Sequence, residues 1–224
     1  MTKHNKISII ILRLLNHYKI RFCRYGGIMY KLCKTEESSK RQREIENVLL
    51  GLMREKRYDD ISVSEICERA GVPRKSFYRY FDGKDGAMQS LLIHNITDFH
   101  SFSTIIGKKD RRTLDGEFED FFHFWKEKRD FLEAFDKSQL IGLLVEYSNS
   151  YAMSEFVNIR KFLPAGEERE KIHVFQFTIC GLMTLTVDWY RSGFAESVPD
   201  IARTAARLIS KPLFPDLDKM GIET

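Results

Sequence analysis

The chain has 224 residues, of which 43% are hydrophobic and 30% charged, a balance that excludes a disordered chain and is typical of a globular protein. Its net charge of +4 is unevenly distributed. Eight of the 36 lysines and arginines lie in residues 1–34, a segment without aspartate or glutamate. The rest of the chain has 28 basic residues and 32 acidic ones. The basic N-terminal segment therefore accounts for the positive net charge, which by itself does not indicate that the folded body binds nucleic acid.

Residues 1–35 form a basic N-terminal extension. Arg13 interrupts its apolar run and no small-residue cleavage site follows, which argues against a signal peptide, and the run is too short to span a membrane. Two interpretations stay open. The extension is a disordered basic arm, or the natural start is Met29 and residues 1–28 are mis-assigned, because codons for Gly26 and Gly27 could form a ribosome-binding site upstream of Met29.

Residues 36–83 are predicted to form a three-helix DNA-binding domain. Ser62 and Glu65 have the spacing of a capping box, which starts the second helix, and Gly71 ends that helix in a left-handed cap. Pro73 suits the first turn of a third helix. Two short helices joined at a tight glycine turn are typical of a helix-turn-helix module. The first helix, which ends near Lys56, presents one apolar face: Ile45, Val48, Leu49 and Leu52.

The stretch CERAGVPRKSFYRYFDGKDG crowds cations and aromatic rings onto this third helix. Phe77 and Phe81 are four residues apart and are predicted to pack inward on the first two helices. Four side chains on the rest of the helix can enter a major groove, where arginine reads guanine: Arg74, Lys75, Ser76 and Arg79. Tyr78 and Tyr80 can donate to phosphates, and Lys84 lies at the start of the next helix, where an anion is favoured.

These residues carry a strong resemblance to the tetracycline-repressor (TetR) family of bacterial transcription regulators. From Arg43 to Met88 the sequence has an apolar first helix, the string YDDISVSEICERAGVPRKSFYRYF, and then a lysine before a connecting helix. The resemblance implies base contacts from positions 74–76 and 78–79, and it implies phosphate contacts from Ser62, Tyr78, Tyr80 and Lys84. It also implies a helical C-terminal domain that binds a ligand and dimerises. Pro73 in place of a polar cap, and Cys67 in place of a smaller core residue, do not threaten this fold.

Residues 84–224 are predicted to form the helical effector-binding and dimerisation domain, beginning with a connecting helix that ends near Ile106. Helices at 168–192 and 197–210 carry apolar residues on two faces, so each must be buried on both. We expect one face of each to pair with a second copy in a homodimer. The expected interface residues are Val174, Phe177, Gly181, Leu185, Ala202, Ala206 and Ile209.

Aromatic residues are concentrated between Phe99 and Tyr190, and they suit a pocket for an apolar or planar small-molecule effector. The candidate pocket residues are Phe102, Phe122, Trp125, Tyr147 and Tyr151.

A metal-dependent helical enzyme is the alternative from another class. The pairs Asp120/His123 and Glu170/His173 have the carboxylate-x-x-His spacing of di-iron bundles. Helical geometry places the first pair opposite the apolar face of its helix, and Glu170 belongs to a charged helix start, so both pairs should face solvent. The four scattered cysteines form no metal-ligand spacing and favour reduced thiols in a cytoplasmic protein.

The sequence thus predicts an all-α, cytoplasmic, homodimeric transcription regulator that is not an enzyme and has no cofactor, metal or membrane partner. Its expected partners are a palindromic double-stranded DNA operator, which it binds as a repressor, and a small apolar or aromatic effector that releases it.

Overall fold

The computed structural model describes residues 29–31, 33–106, 113–159 and 166–210, without the side chains of residues 100–106, 155 and 157–159. Within these ranges the regular elements are helices, and one isolated antiparallel bridge joins Tyr30 to Phe81. The predicted all-α fold class is confirmed. In chain order the elements are α1 (Glu36–Glu55), a 3-10 turn (Tyr58–Asp60), α2 (Val63–Arg69), α3 (Arg74–Phe77), α4 (Lys84–Ile106), α5 (Leu114–Glu127), α6 (Arg129–Lys137), α7 (Ile141–Ile159), α8 (Glu168–Arg191) and α9 (Val198–Ser210).

The chain divides into two compact units. The first comprises Met1–Thr97 and Asp130–Ala165, and the second comprises Asp98–Arg129 and Gly166–Thr224. The predicted boundary between residues 83 and 84 separates a DNA-binding domain from an effector-binding and dimerisation domain, which is a functional division. It stays a prediction, because a division by packing need not follow a division by function.

The first unit has its core around α1, which packs on α2, as α2 does on α3. The predicted apolar face of α1 is buried at Ile45, Leu49 and Leu52. Phe77 and Phe81 are both 0% exposed, and their ring centres lie 5.1 Å apart. The prediction that these two rings pack inward is therefore confirmed.

Local signals set the ends of α2 as the sequence indicates, with one difference. The Ser62 hydroxyl accepts a hydrogen bond from the Glu65 amide at 3.2 Å, and Gly71 has a left-handed φ of 61°. The Glu65 carboxylate, however, pairs with Lys56 Nζ at 2.6 Å. The capping box is thus only half formed, because a cation at the end of α1 binds the side chain that would complete it.

The second unit has an aromatic and aliphatic core in which α9 packs on α5 and α8. Phe122 and Trp189 meet edge to face with ring centres 5.5 Å apart. Ala202 is 0% exposed and Ala206 is 5% exposed within this core. Their predicted place in the dimer interface is therefore wrong, because the turn of α9 that carries them faces α5 and α8 of its own chain.

Candidate nucleic-acid interface

The third helix separates a buried side from an exposed basic side within one turn. Pro73 precedes it with extended backbone, and Arg74–Phe77 is the whole of its α-helical length. Phe77 faces the core, whereas Arg74 and Lys75 are exposed. A short helix of this kind leaves its first turn accessible to the edges of bases in a major groove.

Arg74 is held in a defined direction. Its Nη1 donates to the Ser64 hydroxyl at 3.0 Å, so that a side chain of α2 orients the guanidinium. The same charge opposes the effect of burial on the thiol of Cys67, whose pKa is raised mainly by burial and lowered in part by Arg74. An oriented arginine has less conformational freedom to lose when it makes a bidentate contact to guanine.

The aromatic residues of the stretch differ in exposure. Tyr78 is 42% exposed, and its ring lies edge to face on the buried Phe77 ring at 5.5 Å. Tyr80 and Ser76 are half-buried, and Arg79 is exposed. Of the four residues 76 and 78–80, Tyr78 and Arg79 are therefore exposed to solvent, whereas the other two are half-buried.

Arg79 and Tyr80 line a polar pocket together with the first turns of α1, a grouping that the sequence did not predict. Lys40 and Arg41 contribute cations to this pocket, and Arg41 is paired with Glu44 at 2.8 Å. The proximity of Lys40 and Arg41 to Arg79 is a feature of the tertiary structure.

Lys84 and Ser62 each have a structural role in addition to any contact with DNA. Ser62 caps α2 with its hydroxyl, and its side chain is exposed. Lys84 Nζ donates to the carbonyl oxygens of Tyr58 at 2.8 Å and Asp59 at 3.3 Å, and lies 4.3 Å from the centre of the Tyr58 ring. The predicted phosphate contact of Lys84 therefore competes with three interactions inside the protein.

Comparison with known proteins agrees with this geometry. Residues 49–90 match the family model described as bacterial regulatory proteins, tetR family. This match spans the end of α1, the 3-10 turn, α2, α3 and the start of α4, and so includes the recognition helix. The helix-turn-helix of this chain is therefore the N-terminal, DNA-binding domain of the TetR family of transcription regulators.

Solved structures resemble the fold of this TetR-family chain. They include the dihydroxyacetone kinase operon activator DhaS, with 16% identity and a TM-score of 0.52 over 75% of this chain and 93% of that chain. The fatty acid degradation regulator FadR from Bacillus halodurans has 13% identity and a TM-score of 0.54 over 77% of this chain and 95% of that chain. A tetR-family regulator from Streptomyces coelicolor has 18% identity and a TM-score of 0.52 over 75% and 80%. Identities this low carry the fold alone. A search of curated proteins found no match.

The candidate pocket residues of this TetR-family regulator have different environments. Phe122 and Trp125 are buried in the second unit, and Tyr147 and Tyr151 are half-buried on α7 in the first. The Tyr147 hydroxyl accepts a hydrogen bond from Gln89 at 3.1 Å, and burial raises its pKa. The side chain of Phe102 lies outside the described residues. The effector pocket thus stays a prediction.

The candidate interface residues on α8 lie along an apolar groove of the second unit. Phe177 is 72% exposed, Val174 is 41% exposed and Ile209 of α9 is 39% exposed. Gly181 and Leu185 line the same groove as Phe177 and Ile209. Five of the seven predicted interface residues therefore keep accessible surface, and the two alanines do not.

The residues of the enzyme alternative do not converge. His123, Glu170 and His173 are exposed and Asp120 is half-buried. Throughout the described ranges, no three side chains of histidine, cysteine, aspartate or glutamate are grouped so that they could hold a metal ion. The metal-enzyme alternative is not favoured. Within the same ranges, no helix has the length and apolar character needed to cross a membrane.

Proposed function

We propose that this chain is a repressor that binds a palindromic DNA operator as a homodimer and is released by a small apolar or aromatic effector. The observation that carries the DNA-binding part is the division of the recognition helix. Its aromatic anchors are fully buried, while Arg74, Lys75 and Arg79 are exposed beside them. Base contacts are proposed for Arg74, Lys75, Ser76, Tyr78 and Arg79, and phosphate contacts for Ser62, Tyr78, Tyr80 and Lys84.

The apolar groove on α8 and α9 supports the homodimer. An isolated chain rarely exposes a phenylalanine as fully as Phe177, since burying such a side chain stabilises a protein by about 1.5–3 kcal/mol. Exposed Val174 and Ile209 and the bare backbone at Gly181 allow a second copy of α8 to approach closely. A twofold dimer would present two recognition helices to two half-sites one helical turn apart.

The proposed release is a population shift. An effector held among the aromatic residues would favour a dimer in which the recognition helices no longer match successive major grooves. In the first unit, the half-buried hydroxyl of Tyr147 would offer an effector a polar contact. Repression is the simplest outcome of operator occupancy.

Selection from a randomised pool of DNA duplexes tests this function. The full chain should enrich an inverted repeat, and Arg74→Ala should weaken binding by about 1–3 kcal/mol and relax preference at one position in each half-site. Arg203→Ala is the matched control, because Arg203 is an exposed cation of α9 that pairs with Asp200. Failure to enrich any sequence, or equal losses from both variants, would count against sequence-specific DNA binding by α3.

A further inference from the structure

Residues 29–31 pair with the chain that leaves the recognition helix. The Lys31 amide donates to the Tyr80 carbonyl at 2.7 Å, and the Asp82 amide donates to the Met29 carbonyl at 2.8 Å. Together they form the antiparallel bridge between Tyr30 and Phe81. Lys31 Nζ also donates to the Tyr78 carbonyl at 3.0 Å, at the C-terminal end of α3. We call residues 29–31 the clasp.

Two neighbouring helices hold the clasp from its other side. The Gln89 side chain of α4 is buried and accepts a hydrogen bond from the Met29 amide at 2.8 Å. The Gln42 side chain of α1 is also buried and donates to the Lys31 carbonyl at 3.1 Å. Tyr30 is 4% exposed between these helices. Each glutamine thus hydrogen-bonds the backbone of the clasp with a buried side-chain amide, which would lower the stability of the fold if it had no partner.

Gly86 makes the close approach of the clasp possible. A Cβ at this position of α4 would lie 2.0 Å from the Met29 carbonyl oxygen, far inside any real contact. That carbonyl is the same group that accepts from the Asp82 amide. A side chain at position 86 would therefore displace the clasp at the point where it pairs with the recognition helix.

A one-turn helix depends on such support. Isolated helices shorter than about 12 residues are unstable in water, and the terminal carbonyls of a helix need partners from outside. Pro73 gives α3 no side-chain cap at its start, while Lys31 supplies a charged donor near its end. The clasp therefore compensates for support that α3 lacks within its own sequence.

We propose that the clasp positions the recognition helix for base contact. It does so by tying the end of α3 to Gly86 and Gln89 of α4. Gln89 Nε2 also donates to the Tyr147 hydroxyl of α7 at 3.1 Å, so one side chain connects the clasp to a residue of the proposed effector pocket. This inference rests on the proposed DNA-binding function, because positioning matters only where α3 reads bases.

The test compares full-length Gly86→Ala with Gly51→Ala. Both replace a helical glycine, but a Cβ at Gly51 would meet no atom within 4 Å in the part of the chain that the structure describes. Affinities are measured for the duplex that the wild-type chain selects and for a scrambled duplex of equal length. Hydrogen exchange of the Asp82 amide reports the clasp. Gly86→Ala should expose that amide and lower affinity for the selected duplex at least about tenfold, with little change for the scrambled one, as expected when base contacts are lost. Gly51→Ala should change neither.

A second variant covers the case in which Gly86→Ala does not fold. Gln89→Met keeps the volume and helix propensity of the side chain but removes the acceptor of the Met29 amide. It should also lower the ratio of selected to scrambled affinity, at temperatures well below its melting point. An unchanged ratio in a folded variant overturns the proposal, as does an equal loss for both duplexes. A wild-type chain that selects no duplex would instead overturn the proposed function, so the two failures are distinguishable.

Discussion

The Lys84 ammonium donates to the carbonyls of Tyr58 and Asp59 and lies over the Tyr58 ring. Lys84→Ala removes these contacts and should lower the free energy of unfolding by about 1–2 kcal/mol, since hydrogen bonds to a charged donor stabilise by more than neutral ones. Denaturant unfolding measures this loss. Lys40→Ala, which removes an exposed lysine of α1, is the control and should leave stability unchanged. If Lys84→Ala weakened DNA binding but left the free energy of unfolding unchanged, Lys84 would contribute to phosphate binding and not to stability.

Tyr30 leads to a prediction about alkaline pH. Burial raises the pKa of its hydroxyl above the reference value of 10.0, and the nearby charge of Glu46 raises it further. In the unfolded chain this tyrosine ionises near pH 10, whereas in the folded chain it stays neutral to a higher pH. Its contribution to stability is therefore fully present below about pH 10, and it is lost as pH rises from there through the higher pKa of the folded chain.

Tyr30→Phe removes this titration. Among the described residues its hydroxyl has no hydrogen-bond partner, so the substitution should not destabilise the protein near neutral pH. The loss of stability above about pH 10 should become shallower. Denaturant unfolding at several pH values measures both effects. Tyr58→Phe is the contrast: the pKa of Tyr58 is also raised by burial and by its hydrogen bond to Asp85, so that variant should lose stability even near neutral pH. A steeper alkaline loss in Tyr30→Phe would contradict this account.

At the scale of secondary-structure elements, a buried polar cluster connects α1 to α4. The Glu46 carboxylate is 1% exposed; it accepts from the Ser90 hydroxyl at 2.6 Å and lies 2.9 Å from His94 Nδ1. In the sequence Glu46 interrupts the pattern of a helix with one apolar face, and nothing near it indicates a partner. The partners are 44 and 48 residues away, so only the packing of the two helices brings them together.

His94→Ala should destabilise this contact between α1 and α4 by about 1–3 kcal/mol, because it leaves the buried Glu46 side chain without one of its hydrogen-bond partners. Adding Glu46→Gln should recover part of the loss, since the amide carries no charge and can still accept from Ser90. Thermal or denaturant unfolding of the single and double variants measures the coupling. Should the double variant prove less stable than His94→Ala alone, the cluster would not act as one hydrogen-bonded unit.

At the scale of the whole molecule, Gly181 offers a test of the dimer that spares the chain's own fold. A Cβ at Gly181 would meet no atom of the described residues within 4 Å, so Gly181→Glu fits the surface that these residues form in the single chain. In a packed dimer the same side chain would add volume and an unpaired charge, which should dissociate the dimer and lower operator affinity. Sedimentation, circular dichroism and DNA titration measure the three properties.

Gly142→Glu is the matched control for this experiment. Gly142 is another exposed helical glycine, with no atom of the described residues within 4 Å of its Cβ position. It lies on α7 in the first unit and is not among the residues that line the apolar groove of α8. This variant should stay dimeric. A dimer that persists in Gly181→Glu would place the interface elsewhere on the chain.

The sequence alone was sufficient for the features that depend on neighbours along the chain. Helix bounds follow from apolar periodicity, from the Ser62 cap and from the left-handed backbone at Gly71. The inward direction of Phe77 and Phe81 follows from their spacing, and the motif around them indicates the TetR family. Each of these features is decided within about one helical turn, where residue type acts directly on the backbone.

Only the tertiary structure decided which residues meet across the chain. It placed Ala202 and Ala206 in the core, because the choice between two apolar faces of one helix depends on which neighbour covers each face. It engaged Lys84 with the Tyr58 loop, and it brought the clasp against Gly86 and Gln89, about 60 residues further along the chain. A sequence records which side chains are able to bond, whereas the packing of helices determines the partners that are within reach.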